Sequence, residues 1–142
     1  MKSARRRARA LALQGMYSWL IAGHAISDIT AQLEQSSRYE RVDQEYFSLL
    51  IHGAIEGHVE LEAALAPFLD RPVKELSPIE RAILLLGALE LKCSPEVPFK
   101  VVINEAVELA KSFGGTEGHK YVNGVLDKLA RALRPQKDAE GA

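Results

Sequence analysis

The chain has 142 residues, is 47% hydrophobic and 26% charged, and carries a formal net charge of −1. That balance suits one compact domain, or two small sub-bundles sharing a core. One cysteine, Cys93, leaves no partner for an intramolecular disulfide, and no apolar run reaches the roughly 18 residues that a membrane span needs. The charge is polarised: Lys2, Arg5, Arg6, Arg7 and Arg9 precede the first acid, Asp28, and the remainder is net acidic. The basic start followed by apolar residues imitates a secretory signal. Gln14, Tyr17 and Ser18 interrupt the apolar run, however, and Leu11, Met16, Trp19 and Leu20 fit one helical face, so the segment reads as a helix of a cytoplasmic protein.

Residues 3–22 are predicted as the first helix, with Gly23 as its stop. Ser27 opens a second helix to about Gln35, and 36–41 is a polar connection. Asp43 caps a third helix running to about Ala66, with Phe47, Leu50, Ile51, Ala54, Ile55, His58, Leu61 and Leu65 inward; Pro67 ends it. Phe68 and Leu69 tuck under the bundle, and 71–76 is a linker. Ser77 and Glu80 form a capping box around Pro78, opening a helix to Cys93 that is apolar on nearly every side. Such a helix must be surrounded by others. Pro98 starts the next, to about Phe113, with Val101, Val102, Ala106, Leu109, Ala110 and Phe113 inward. Thr116 opens the last, to about Leu133, with Val122, Val125, Leu126, Leu129 and Leu133 buried. No period-2 run appears. The expectation is an all-α fold of two antiparallel sub-bundles, 1–70 and 71–142, sharing a core, with a tail frayed from about 135.

Two stretches carry candidate chemistry. On a helix, Lys2, Arg5, Arg6 and Arg9 lie on adjoining faces while Arg7 points elsewhere. Guanidinium forks match phosphate oxygens, which makes nucleic acid the natural ligand; a solvated basic face is the plainer alternative. Lys111 to Asn123 places two glycines before a helix start, leaving backbone N–H groups for an anion, with Lys111, His119 and Lys120 nearby and Tyr121 available to stack on a base. An ordinary helix–turn–helix corner is the alternative there. The four histidines show no i, i+4 pairing, no Cys-x-x-Cys exists, and no phosphate-binding glycine loop is present. The expectation is no catalytic residue, no metal and no cofactor. His58 reads as a satisfied core histidine, and Glu105 and Glu108 as a solvated or ion-paired face.

Three motifs in order resemble the bacterial NusB antitermination factors. They are Arg5-Arg6-Arg7-Ala8-Arg9 running into Gln14-x-x-Tyr17-Ser18-Trp19, the stretch from Val97 to Gly114, and His119-Lys120-Tyr121-Val122-Asn123-Gly124-Val125-Leu126-Asp127-Lys128. Residues 24–76 match only in pattern. The resemblance implies a seven-helix fold, one more helix than the periodicity gives. It implies binding to single-stranded boxA RNA of ribosomal RNA leaders, jointly with the ribosomal protein that doubles as NusE. The pair then helps RNA polymerase read past terminators, without catalysis. Carried over by position, Lys2, Arg5, Arg6, Arg7, Arg9, Lys111, Phe113, Gly114, Lys120, Tyr121 and Asn123 look like the RNA surface, and Tyr17 and Glu80 like partner contacts. Glu117, bordering that surface, should moderate phosphate binding. Some relatives look like homodimers. The alternatives are an accessory helical RNA-binding module of another RNA-processing complex, and a helical DNA-binding regulator.

Overall fold

A computed structural model describes residues 3–113 and 117–135. Among them are seven α-helices and no strand: α1 (Ala4–Ala22), α2 (Ile26–Glu34), α3 (Gln44–Glu56), α4 (His58–Leu65), α5 (Pro78–Cys93), α6 (Phe99–Phe113) and α7 (Gly118–Leu133). Short 3-10 turns occupy Tyr39–Arg41, Ala66–Phe68 and Val73–Glu75.

α5 is the central element, packed against α1, α3, α4, α6 and α7. Residues 82–91 are all buried, which is why nearly every side of this helix is apolar. Burying a leucine or isoleucine stabilises by about 1.5–3 kcal/mol, so the run Ile83-Leu84-Leu85-Leu86 is a principal contributor to the core. Ser77 caps α5 as expected, its Oγ accepting from the Glu80 N–H at 3.1 Å, and Asp43 caps α3 through the Tyr46 N–H at 3.0 Å. Gly23 ends α1 at φ 69°, donating to the Trp19 carbonyl. α2 begins at Ile26, one residue before Ser27, with no side-chain cap.

The single helix expected over 43–66 is two helices, α3 and α4, broken at Gly57. The chain turns so tightly there that a Cβ on Gly57 would sit 2.8 Å from the Gly53 carbonyl oxygen. Apolar spacing persists through the break because both helices lie against the same core. His58, just past it, places Nδ1 2.8 Å from the Ile55 carbonyl oxygen and its ring edge-on to Trp19, so it is a satisfied, half-buried histidine. Three residues expected inward are exposed: Val101, Phe113 and Leu133. Val101 falls on the Glu105 side of α6, off the stripe of Val102, Ala106 and Leu109. Phe113 and Leu133 are the last residues of their helices, beyond the packed core.

The C-terminal end of the described chain is tied down more firmly than its polar composition suggests. Arg134 is buried, and its guanidinium donates to four backbone carbonyls: Leu91 at 2.9 Å, Val97 at 2.7 Å, Glu90 at 3.1 Å and Ser94 at 3.0 Å. These include the Leu91 carbonyl in the last turn of α5, which a helix otherwise leaves to water, and the Glu90 carbonyl, which also accepts from the Ser94 N–H. One side chain thus fixes the end of α7 to the α5–α6 turn. The expected frayed tail, residues 136–142, lies outside the described residues.

Candidate nucleic-acid interface

The first turns of α1 sort the arginines by depth. Ser3 caps the helix through the Arg6 N–H at 3.0 Å. From there, steps of 100° per residue send Arg5 and Arg9 toward α3 and α5, Arg6 toward α6, and Arg7 toward the side that the 3-10 turn Tyr39–Arg41 borders.

Arg9 is not on the surface, contrary to the sequence expectation: it is 5% exposed. Its Nε and Nη2 each reach a Glu90 carboxylate oxygen at 2.8 Å, and Nη1 lies 3.3 Å from Glu105 Oε1. Glu90, itself 3% exposed, also accepts from the Tyr46 hydroxyl, which lies 3.2 Å from Ser94 Oγ. Burial, which alone would lower the Arg9 pKa, is outweighed by Glu90, so the guanidinium is held above its ordinary value. Burial and the hydrogen bond to Glu90 together push the Tyr46 hydroxyl up to about 12. This is a closed polar network with every charge paired, and it has none to spare for a phosphate.

Arg6 is half-buried and forks onto the second acid, with Nε 2.9 Å from Glu105 Oε1. Hydrogen bonding from Arg6, against the opposing effect of burial, holds the Glu105 carboxyl below the usual carboxylate range. The expected ion-paired reading of Glu105 is therefore met, with Arg6 and Arg9 as its partners. A folded-state pKa below the unfolded one means that Glu105 contributes stability at neutral pH, which is lost as pH falls through that depressed value. Urea midpoints taken from about pH 7 to about pH 3 should fall, and Glu105→Gln should flatten that dependence. Arg5 lies over the Tyr46 ring at 3.9 Å, with Glu96 at 3.7 Å and Asp43 at 3.9 Å, and stays half-exposed. Lys2 lies outside the described residues.

Arg7 behaves differently. Among the described residues it has no carboxylate partner, and it lines a groove of about 390 Å³ between α1, the 3-10 turn Tyr39–Arg41 and α6. Arg6 lines the same groove, so Arg7 is not set apart as the helical spacing suggested. Arg38 and Arg41 join them, and Ala10, Leu11, Val42 and Leu109 form an apolar floor. Ser112 and Phe113 close the far side, with Phe113 53% exposed. The structure therefore brings the arginine helix and the end of α6 onto one surface. Sequence reasoning passed over Arg38 and Arg41. Two arginines within a polar connection were the available signal.

The rest of the second stretch is arranged otherwise. Lys111 and Lys120 are exposed, in surface pairs with Glu108 at 3.6 Å and Glu117 at 3.3 Å, which hold them only weakly. Asn123 is exposed on α7. Tyr121 is half-buried, accepts from the Asp70 N–H at 3.2 Å, and carries the Arg71 guanidinium 5.3 Å from its ring centre. One face of the ring expected to stack on a base is thus already covered by Arg71, which is itself forked onto Asp70. Lys120, Tyr121 and Asn123 do not line the arginine groove. Gly114 and most of the glycine corner lie outside the described residues. At Gly118, the first residue of α7, an added Cβ would meet Glu80 Oε2 at 3.0 Å, so a carboxylate already faces the positive end of that helix. Tyr17, on α1, is 42% exposed, and Ile21, one turn on, is 56% exposed. Among the described residues no cluster of histidine, cysteine or acid side chains could hold a metal, and no helix is long and apolar enough to cross a membrane.

Comparison with known proteins agrees with this architecture. The NusB family model matches residues 6–131. The transcription antitermination protein NusB of Paraburkholderia phytofirmans is 55% identical over 134 residues, spanning 94% of this chain and 93% of that protein. The NusB of Nitrosospira multiformis is 59% identical over 126 residues, spanning 89% and 80%. Among solved structures, T. maritima NusB superposes with a TM-score of 0.83 at 26% identity, covering 98% of this chain and 99% of that one. A complex of the antitermination factors NusB and NusE with double-stranded RNA superposes with a TM-score of 0.79 at 25% identity, covering 93% and 99%. The chain belongs to the NusB family of transcription antitermination proteins.

Proposed function

We propose that this protein binds the boxA RNA of ribosomal RNA leaders jointly with NusE, and that the pair serves an RNA polymerase antitermination complex. The observation that carries this reading is the groove in which Arg6 and Arg7 face Phe113 across an apolar floor. Guanidinium forks hold phosphates, and an exposed aromatic stacks on an unpaired base whatever its identity. A solved relative bound to NusE and RNA supports the same assembly. Tyr17 and Ile21 offer an exposed apolar strip one helical turn long, suited to the protein partner. Glu80, beside the start of α7, is the second candidate partner contact.

The test is fluorescence anisotropy of labelled boxA RNA, with and without NusE. Arg5→Ala with Arg7→Ala should weaken RNA binding by on the order of tenfold while leaving the helical fold intact. Unchanged affinity in that double variant would remove the arginine helix from the interface. Tyr17→Asp should abolish the NusE-dependent gain in affinity while leaving the weak binding of RNA alone. Light scattering of the protein alone and with NusE reads self-association and heterodimer formation in one measurement.

A further inference from the structure

We infer that Arg38 and Arg41, at the two ends of the 3-10 turn that follows α2, are phosphate-binding residues, and that the RNA lies in the groove with its sugar–phosphate backbone against the α1 side and its bases toward α6. The inference rests on the RNA-binding reading above and adds to it two residues and an orientation.

The two walls of the groove differ in free charge. On one side, Arg7 and Arg41 have no carboxylate partner among the described residues, and Arg38 is exposed with only a neutral partner, Gln14 Oε1 at 3.1 Å. On the other side positive charge is offset by acids: Glu105 holds Arg6 and Arg9, and Glu108 forms a weak surface pair with Lys111 at 3.6 Å. The uncompensated positive charge therefore lies along α1 and the 3-10 turn. The α6 side offers Phe113, more than half exposed at its rim. A single strand has the same asymmetry, with phosphates along one edge and π-faces along the other. Laying the backbone against α6 would bring phosphates toward Glu105 and Glu108 and leave three guanidinium groups facing bases. Electrostatics selects the opposite orientation. Arg38 and Arg41 lie far along the chain from the arginines of α1, outside any motif that suggests nucleic acid, and only the fold brings them beside Arg7.

The test is a salt series of RNA affinity in the presence of NusE, comparing wild type, Arg38→Ala/Arg41→Ala, Phe113→Ala and Lys111→Ala. Losing two phosphate contacts should reduce the slope of log K against log salt by about 1.4, and weaken boxA and an unrelated single strand equally. Phe113→Ala should weaken binding with the slope unchanged. All four side chains are exposed, so circular dichroism and the thermal midpoint should match wild type. If wild type binds and the double arginine variant keeps the full slope, these two residues do not touch phosphate and the inference is overturned alone. If Lys111→Ala, at the end of α6, lowers the slope as the arginine variant is expected to, the backbone runs along α6 and the orientation is overturned. If wild type binds no RNA with NusE present, the functional reading fails and this inference falls with it.

Discussion

Glu90→Ala is expected to lower the unfolding free energy by about 3–5 kcal/mol, because it leaves a charged Arg9 buried without its bidentate partner. Urea unfolding followed by circular dichroism at neutral pH measures it. Arg9→Ala should cost a similar amount by stranding Glu90. The control is the paired replacement Arg9→Met with Glu90→Leu, expected to come within about 1–2 kcal/mol of wild type. It should be tolerated because the neighbours keep partners: Glu105 retains Arg6, and the Tyr46 hydroxyl retains Ser94. If the double variant is as unstable as the singles, packing around the network matters more than its charge. The consequence for function is direct. An Arg9 variant that fails to bind RNA reports a damaged fold, whereas Arg7 and Arg5 variants report the surface.

Arg134→Ala is the second large effect, expected at about 2–4 kcal/mol. Four carbonyls lose a charged donor at once; each such bond contributes about 1.5–3 kcal/mol net of exchange with water, from which the cost of burying the rest of the guanidinium is subtracted. That subtraction is real here, since burial holds the Arg134 guanidinium below its ordinary value. Arg134→Lys should not restore stability, because an ammonium cannot present a planar fork to carbonyls on both sides of a turn. Thermal unfolding of the two variants beside wild type checks this. A lysine variant as stable as wild type would mean that charge near the α5 terminus, rather than the fork, is what matters.

The tyrosine in the network adds a limit at high pH. The Tyr46 hydroxyl titrates near 12 in the folded protein and near its ordinary value when unfolded, so unfolding releases a proton between those values. Stability should therefore fall as pH rises through that window, and Tyr46→Phe should remove that part of the decline.

Much of this protein follows from local rules that need no partner element. The caps at Ser77 and Asp43, the left-handed stop at Gly23 and the wholly apolar α5 are consequences of residue type and spacing. The family motifs likewise lie in contiguous stretches. The break at Gly57 was less legible, because the apolar period runs straight across it and only the backbone distance to Gly53 shows the turn.

What the tertiary structure alone decided is the fate of each charge. Five basic residues in the first nine read as one cationic surface, yet their roles depend on acids 81 to 99 positions away, Glu90 and Glu105, arriving on other helices. Those acids turn Arg9 into core and half-commit Arg6, leaving Arg7 for the surface. The same holds for Arg38 and Arg41, which join a groove only beside α1, and for Arg134, which reads as part of a polar tail until four carbonyls converge on it. Helical period and capping are set within a few residues, so sequence determines them. The pairing of a charge is set by whichever groups the packed helices bring within about 4 Å, and that is a property of the fold.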